Sequence, residues 1–396
     1  QRQMCIRDSV QSRLDALVDF TTAAGDEGRL PGYQLAVGFD NEIVYAEAYG
    51  DAADHNRFHT YSAVKPTVSL TVLELVAEGL LDVDATVASV LPSFGENGKD
   101  TITLSQVLLH AGGFPTAPIG AEAIDRQQRL ERYARWHTTW EPGTRFEYHP
   151  SQAHWVLADM IEEVAGRPYA DVITERLMTP AGQPRWLAIP EDEQGDIKDV
   201  FDVGDPIDPA EFKALQGVDM PETEVTHEAL RVFNEPMVRA GGHPGGGGIA
   251  SASSIAGWSQ AILHDRGDIL RPEVKDDALR TIRQTHPDPL GTRANRTHAF
   301  TIAGADDQKA LRGHGHTSSE WAFGHGGAKG QIGWADPATG ISLGFMTHGL
   351  DRNDLVVGRR GIAISSKAGV LTLSLIHISE PTRRRGLSYA VFGLKK

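Results

Sequence analysis

The sequence predicts an α+β fold: one antiparallel sheet made from both ends of the chain, with a helical stretch inserted between them. Three observations carry this. Strand-like alternation is concentrated in residues 33–45 and 321–346. Apolar residues at spacings of three and four dominate much of the middle, as in Val64, Val68, Val72, Leu75, Val76 and Leu80. Finally, strands come first and last with helices between, which segregates helices from an antiparallel sheet instead of alternating β and α units.

Taken in order, Val10 to Phe20 reads as a helix with Leu14, Leu17 and Val18 apolar. Pro31-Gly32 then turns the chain into a strand over Tyr33–Phe39, Asp40-Asn41 gives a hairpin turn, and Ile43–Tyr45 returns. A helix starting near Ser62, with Pro66 in its first turn, ends near Gly79. Ile102-Thr103-Leu104 opens another helix, and a turn at Glu141–Thr144 delivers Phe146-Glu147-Tyr148. Helices follow up to Gly166 and from Tyr169 to Leu177; between about 183 and 235 the chain is acidic, Pro-dotted and weakly periodic, an irregular excursion that shapes substrate access. Ser251 to Leu263 is helical. Residues 321–323, 331–334 and 341–346 read as three strands, with a hairpin turn at Asp336–Gly340, and helical pattern resumes after Asn353. The sheet lobe is therefore assigned to 10–60 and 290–372, and the helical lobe to 61–289.

The two ends are set apart. Gln1–Asp8 and Leu373–Arg383 back-translate to the opposite ends of a transposase-type sequencing adapter, so 1–9 and 373–396 are read as translated adapter and left out of the fold. These ends carry seven Lys/Arg against two Asp/Glu, so the whole-chain charge of −15 becomes −20 for 10–372. So acidic a chain is a poor partner for nucleic acid or an anionic membrane. No apolar run reaches the 18 or so residues of a membrane span. The only cysteine, Cys5, lies in the excluded head, which removes disulfides, thiolate metal sites and a cysteine nucleophile. Compartment and oligomeric state are left open.

Chemistry concentrates at Tyr61-Ser62-Ala63-Val64-Lys65-Pro66. Ser62 and Lys65 are three apart at a helix start, on one face and within reach of each other. A serine hydroxyl is a poor nucleophile until a base takes its proton. A lysine stripped of its proton by desolvation can be part of that base, and the helix N-terminus adds positive potential where an oxyanion forms. By itself S-x-x-K also describes two ordinary surface residues. Its company changes the reading: Tyr148-His149-Pro150 and His325-Gly326-Gly327-Ala328 follow in order, and His110-Ala111-Gly112-Gly113-Phe114-Pro115 lies between.

With these motifs the chain resembles the serine β-lactamase and penicillin-binding-protein superfamily. More narrowly it resembles the branch holding class C β-lactamases, family VIII carboxylesterases, D-aminopeptidases and D,D-peptidases. The resemblance runs from about Leu14 to about Gly369. It implies a β-lactamase-like fold and a serine hydrolase cleaving esters or amides through an acyl-enzyme, with Ser62 as nucleophile and Lys65 and Tyr148 moving protons. The Lys65 ammonium is expected to lower the phenol's pKa. It also implies oxyanion donors at the N–H groups of Ser62 and Ala328, substrate lying along His325, Gly326 and Gly327, and no metal or organic cofactor.

Two departures matter. Pro150 stands where the family carries Asn, and His325 where Lys is common, although some peptidases of the superfamily have His. Simple esters are therefore expected to be better substrates than β-lactams, and the partner expected is a small-molecule ester or amide substrate, with no nucleic acid and no membrane span. The alternatives are a D,D-peptidase, D-aminopeptidase or β-lactamase and, in another class, an inactive peptide- or cell-wall-binding homologue. Other features are given structural readings: His110 as a buried residue ordering its loop, the glycines of 240–250 as a structural loop without the Lys-Ser/Thr ending of a P-loop, and His314-x-His316 as no metal pair.

Overall fold

The computed structural model describes residues 2–371, apart from 120–122 and 221–222. The proposed adapter residues Gln1 and 373–396 lie outside them. The first helix, α1 (Arg2–Asp26), is longer at both ends than the predicted 10–20. Six strands form one antiparallel sheet: β1 (Gly32–Phe39), β2 (Glu42–Gly50), β3 (Thr301–Ile302), β4 (Phe323–Gly324), β5 (Ile332–Asp336) and β6 (Ile341–Thr347), in the order β2-β1-β6-β5-β4-β3. The centre of the sheet joins the two ends of the chain, since Leu35 of β1 lies opposite Phe345 of β6. The expected α+β architecture is thus the observed one. Both predicted hairpins form. Asp40 and Asn41 sit at φ 51° and 66°, the left-handed pair that a two-residue turn matched to strand twist requires. At the second, Gly340 N–H closes on Asp336 O at 2.8 Å.

Period-2 alternation sorts the two faces of the sheet. Tyr33, Leu35, Val37, Ile341, Leu343 and Phe345 pack with Leu14 and Leu17 of α1 and with Ile364 and Ala368 of the last helix. Ala36 and Met346 point to the other side, into the larger core shared with the helical part of the chain. Four further helices frame the site: α2 (Lys65–Ala77), α3 (Gln152–Ala165), α4 (Ala252–His264) and α5 (Asp354–Gly369). Helix α4 lies directly on the sheet, where Ser342 Oγ donates to Ala256 O at 2.8 Å and Gln260 Nε2 to Gly340 O at 2.9 Å.

Three expectations change. The spacing in α2 predicted an amphipathic helix, but every residue from Lys65 to Leu75 is buried, because α2 is the central strut of the core and is wrapped on all sides. The strand expected from Trp321 begins only at Phe323; Ala322 N–H turns back on Ser319 O and Trp321 is exposed. The excursion 183–235 is partly ordered, with Phe201–Val203 pairing in parallel with Gly349–Asp351 and a helix at Pro209–Gln216. Among the described residues no helix is long and apolar enough to cross a membrane.

Candidate active site

Ser62 sits in a 3₁₀ turn, Tyr61–Val64, that runs straight into α2. Tyr61 starts the turn at φ 46°, a left-handed conformation costly for a bulky residue. It is held there by packing. The phenol donates to Leu230 O at 3.3 Å, and Phe233 meets the ring edge-on at 5.7 Å. Both partners lie near the end of the 183–235 excursion, so that segment supports the turn carrying Ser62. Ser62 itself is only half-buried.

Lys65 is 1 % exposed, and its Nζ lies 3.1 Å from Ser62 Oγ, 2.7 Å from Pro150 O and in hydrogen-bond contact with Gly245 O. Burial, aided by the charge of Arg296, holds its pKa well below the usual lysine value. A neutral amine has two N–H groups and one lone pair. Nζ donates to two carbonyls and to Ser62 Oγ, so loss of the third proton leaves a lone pair facing the Ser62 hydroxyl, the orientation a base needs. Pro150, read from sequence as a lost side chain, thus contributes its carbonyl. The glycine loop at 240–250 is a structural loop as expected, but one that reaches the site. A Cβ on Gly245 would lie 2.9 Å from Pro150 O and 3.2 Å from Lys65 Nζ, so only glycine lets the carbonyl approach. The loop is braced by His243, whose ring meets that of Trp155 in α3 at 5.1 Å.

Tyr148 lies across this pair, with Lys65 Nζ 5.2 Å from its ring centre. The phenol pKa was expected to be lowered by an ammonium. Instead burial pushes it up to about 12, opposed by Ser62 and by the Arg296 charge. Ser62 is near enough to ease ionisation of the phenol, although Oη makes no hydrogen bond of good geometry. Tyr148 is therefore a neutral phenol at pH 7. Its segment is clamped by the loop after Ile102–Leu104. His149 N–H donates to His110 Nδ1 at 3.1 Å, Phe114 N–H donates to His149 Nε2 at 3.1 Å, and Nδ1 of His149 donates to Glu147 O at 2.6 Å. His110 is buried and orders the loop, as read from the sequence.

The third motif follows β4. His325 lies with its ring 5.9 Å from that of Tyr148, and its Nδ1 is 2.8 Å from Gly326 O. Burial and the Arg296 charge keep it neutral, with a pKa well below the usual histidine value. Gly327 N–H donates to Gln331 O at 2.9 Å, and a Cβ at this position would collide with Thr60 O, so the glycine brings the motif flush against the nucleophile turn. Ala328 packs against the cluster around Tyr61, whereas Gly326 is exposed. A cleft of about 290 Å³ runs along the motif, lined by His314, His325, Gly326, Gly327, Trp334 and Val357 among others. His314 is buried with Nε2 on Thr301 O at 3.2 Å and His316 is exposed, so the H-x-H pair does not converge. Among the described residues no three His, Cys, Asp or Glu side chains gather as a metal site.

The predicted residues Ser62, Lys65, Tyr148, His325 and Gly327 thus come together. Sequence reasoning gave no role at the site to Tyr61, which opens the S-x-x-K stretch, to Gly245, read only as part of a structural loop, or to Arg296, which stands in no motif. The buried imidazoles carry a testable consequence. His59, His149 and His243 are each held neutral by burial, with pKa values pushed down to about 3. Between that value and the unfolded pKa near 6.5 the unfolded chain binds more protons, so stability falls as pH falls through this window. The melting temperature is expected to drop steadily from pH 7 to pH 5, where most carboxylates are still ionised. A flat melting curve over that range would contradict it.

Comparison with known proteins agrees with this geometry. The family model described as Beta-lactamase matches residues 11–365. Among curated proteins, the chain is 26% identical to Esterase EstB of Burkholderia gladioli, with 86% of this chain and 91% of that protein aligned. Among solved structures, a penicillin-binding protein homologue from Caulobacter crescentus superposes with a TM-score of 0.72 at 22% identity, covering 91% of this chain and 97% of that one. A family VIII carboxylesterase superposes at 0.71 and 22% identity, covering 90% and 97%. At that identity the structural likeness speaks for the fold.

Proposed function

The chain belongs to the Beta-lactamase family, and on that footing we propose that it is a serine ester hydrolase acting through an acyl-serine intermediate. The observation that carries the reading is Lys65 Nζ: buried, with its pKa held well below the usual lysine value, bonded to two carbonyls and 3.1 Å from Ser62 Oγ. Ser62 Oγ attacks the ester carbonyl carbon while its proton passes to Lys65 Nζ. The carbonyl oxygen becomes an oxyanion, held by the N–H groups of Ser62 and Ala328. The proton then moves to the departing alcohol oxygen through the phenol of Tyr148, which relays as a neutral acid and not as a phenolate base. The C–O bond breaks to leave acyl-Ser62, and a water activated by the same groups releases the acid. The esterase among the aligned relatives supports ester over amide chemistry.

The experiment is labelling with a fluorophosphonate, followed by peptide mass mapping, alongside a rate panel of a short-chain aryl ester, a chromogenic cephalosporin and a D-Ala-D-Ala peptide. The expected result is an adduct on Ser62 and the highest kcat/KM on the ester. Ester turnover with the adduct on another residue removes Ser62 from the mechanism, and a higher kcat/KM on the cephalosporin overturns the ester preference. Binding of peptide without any turnover favours the inactive homologue.

A further inference from the structure

Several serine hydroxyls of this protein end on backbone oxygens. Ser89 Oγ donates to Thr86 O at 2.6 Å, and Ser259 and Ser342 donate to Ile255 O and Ala256 O, each at 2.8 Å. Ser105 is different. Its Oγ lies 2.9 Å from His298 Nε2, and His298 Nδ1 lies 2.7 Å from Asp277 Oδ2. An ionised carboxylate only accepts, so in the neutral ring Nδ1 keeps the proton and Nε2 the lone pair. The Ser105 hydroxyl therefore donates to Nε2. Hydroxyl, base and carboxylate stand in series, the order in which a serine is made nucleophilic. None of the three residues belongs to the site built on Ser62.

The group is assembled from three separate parts of the chain and fixed in place. Ser105 is the second residue of the short helix Leu104–Leu108, capped reciprocally by Thr103 and Gln106 at 3.2 and 3.0 Å. Asp277 lies in the helix Pro272–Arg280. His298 sits in the turn between the bridged residues Arg296 and Thr301, and Thr297 Oγ1 ties that turn to the Asp277 helix by donating to Ala278 O at 2.6 Å. His298 is 3 % exposed, whereas Ser105 is half-buried, as Ser62 is. The base is shielded from water and the serine can be reached. Burial works against an ionised Asp277, but hydrogen bonds from His298 and from Arg283, whose Nε lies 2.7 Å from Oδ1, outweigh it and hold the carboxyl below its usual pKa. The carboxylate fixes the ring tautomer and stabilises the imidazolium formed when the Ser105 proton is taken. One part is missing. The Ser105 N–H is occupied by Val83 O at 2.8 Å and the Gln106 N–H by Thr103 Oγ1, so neither is free to hold an oxyanion.

We propose that Ser105, His298 and Asp277 form a second nucleophilic centre, one that takes an acyl group from an activated ester and keeps it. Ser105 Oγ attacks the carbonyl carbon of an aryl ester while its proton passes to His298 Nε2. The C–O bond to the aryl group breaks, and the phenolate leaves with the electron pair. The proton on His298 is then released to solvent, leaving acyl-Ser105. Without oxyanion donors, attack of water on that acyl group is slow and the adduct accumulates. The proposal goes beyond the hydrolase reading and does not depend on it, since it concerns a different serine and a different base.

The test treats the full chain, wild type and Ser62→Ala, with 4-nitrophenyl acetate, quenches at intervals and maps the acetylated peptides by mass. Ser89, exposed and donating to a backbone carbonyl, is the internal reference. The expected result is acetylation of Ser105 about 10²–10⁴-fold faster than of Ser89 in both proteins, the range that a positioned base supplies. His298→Gln and Asp277→Asn, each added to Ser62→Ala, are expected to slow it about tenfold or more. Ser105 acetylated no faster than Ser89 overturns the proposal and leaves the three residues a structural tie. Fast acetylation that survives in both folded variants overturns it as well, because the base then plays no part. Should the variants fail to fold by their melting curves, the Ser62→Ala protein is labelled in urea. The proposal requires the Ser105 rate to fall to that of Ser89 there, and a preference that outlasts unfolding overturns it. Acetylation or phosphonylation of Ser62 in the wild type bears on the hydrolase reading alone, so either reading can fail without the other.

Discussion

Lys65→Arg is expected to lower kcat/KM on an aryl ester by about 10³–10⁴-fold, the upper range for loss of a general base. The reason is not lost charge, since guanidinium keeps it. Lys65 works here because burial lowers its pKa and so eases loss of the proton aimed at Ser62, leaving a lone pair beside two occupied N–H groups. Guanidinium cannot give up its proton in a protein and has no lone pair to offer. The same logic fixes the pH dependence. The folded pKa of Lys65 is depressed, so the amine is neutral above that pKa and protonated below it, and kcat/KM falls as pH falls through it. The residual activity of Lys65→Arg should lack this acid limb. Lys65→Met is the companion variant: similar in volume and without a base, it should be equally slow. Stopped-assay rates across pH 5–9, with melting temperatures alongside, decide the matter. An Arg variant within tenfold of wild type would take Lys65 out of proton transfer.

How much of this was legible in the sequence depends on how local each feature is. The hairpins at 40–41 and 336–340 were, because turn residues and period-2 alternation act over a few positions. Ser62 and Lys65 were, because one helical turn sets their separation. Tyr148 was placed by its motif, but its ionisation was read with the wrong sign: a sequence shows the lysine beside it, and not the burial that raises the phenol's pKa and lowers the lysine's. Gly245 was hidden for a different reason. Its carbonyl reaches Lys65 across 180 residues of chain, and a backbone oxygen leaves no mark in a string of side chains. Pro150 was counted as a loss for the same reason. Arg296 was invisible because a buried, unpaired arginine is written with the same letter as a surface one. It also alters one inference. The low affinity expected for β-lactams rested partly on a missing cation at His325, and the charge of Arg296 acts on that histidine. The preference for esters over β-lactams then rests, on the side of recognition, on the side-chain amide that Pro150 cannot supply.

Gly327→Ala is expected to lower kcat on the same ester by about 10²–10³-fold, comparable to removing an oxyanion donor or displacing a reacting group by about 1 Å. Gly327 is not at a left-handed φ, so the argument is one of space and not of backbone freedom. A methyl group there would overlap Thr60 O and come within 2.9 Å of Gln331 Cβ. Thr60 O is main chain and is tied into the nucleophile turn by the Ala63 N–H at 3.1 Å, so it cannot swing aside as a side chain would. The overlap is relieved by backing the third motif away from the turn, which carries the N–H of Ala328 away from that of Ser62. Substrate binding outside the reacting carbonyl is less disturbed, so the loss should appear in kcat more than in KM. Gly326→Ala provides the internal comparison one residue away. The nearest atom to its new methyl is Gln331 O at 3.5 Å, ordinary van der Waals contact, so the motif need not move and any effect should fall on KM. Measuring both variants separates a packing requirement from a general intolerance of side chains along the cleft. Equal losses in kcat at 326 and 327 would mean that the close approach to Thr60 is not what sets the oxyanion site.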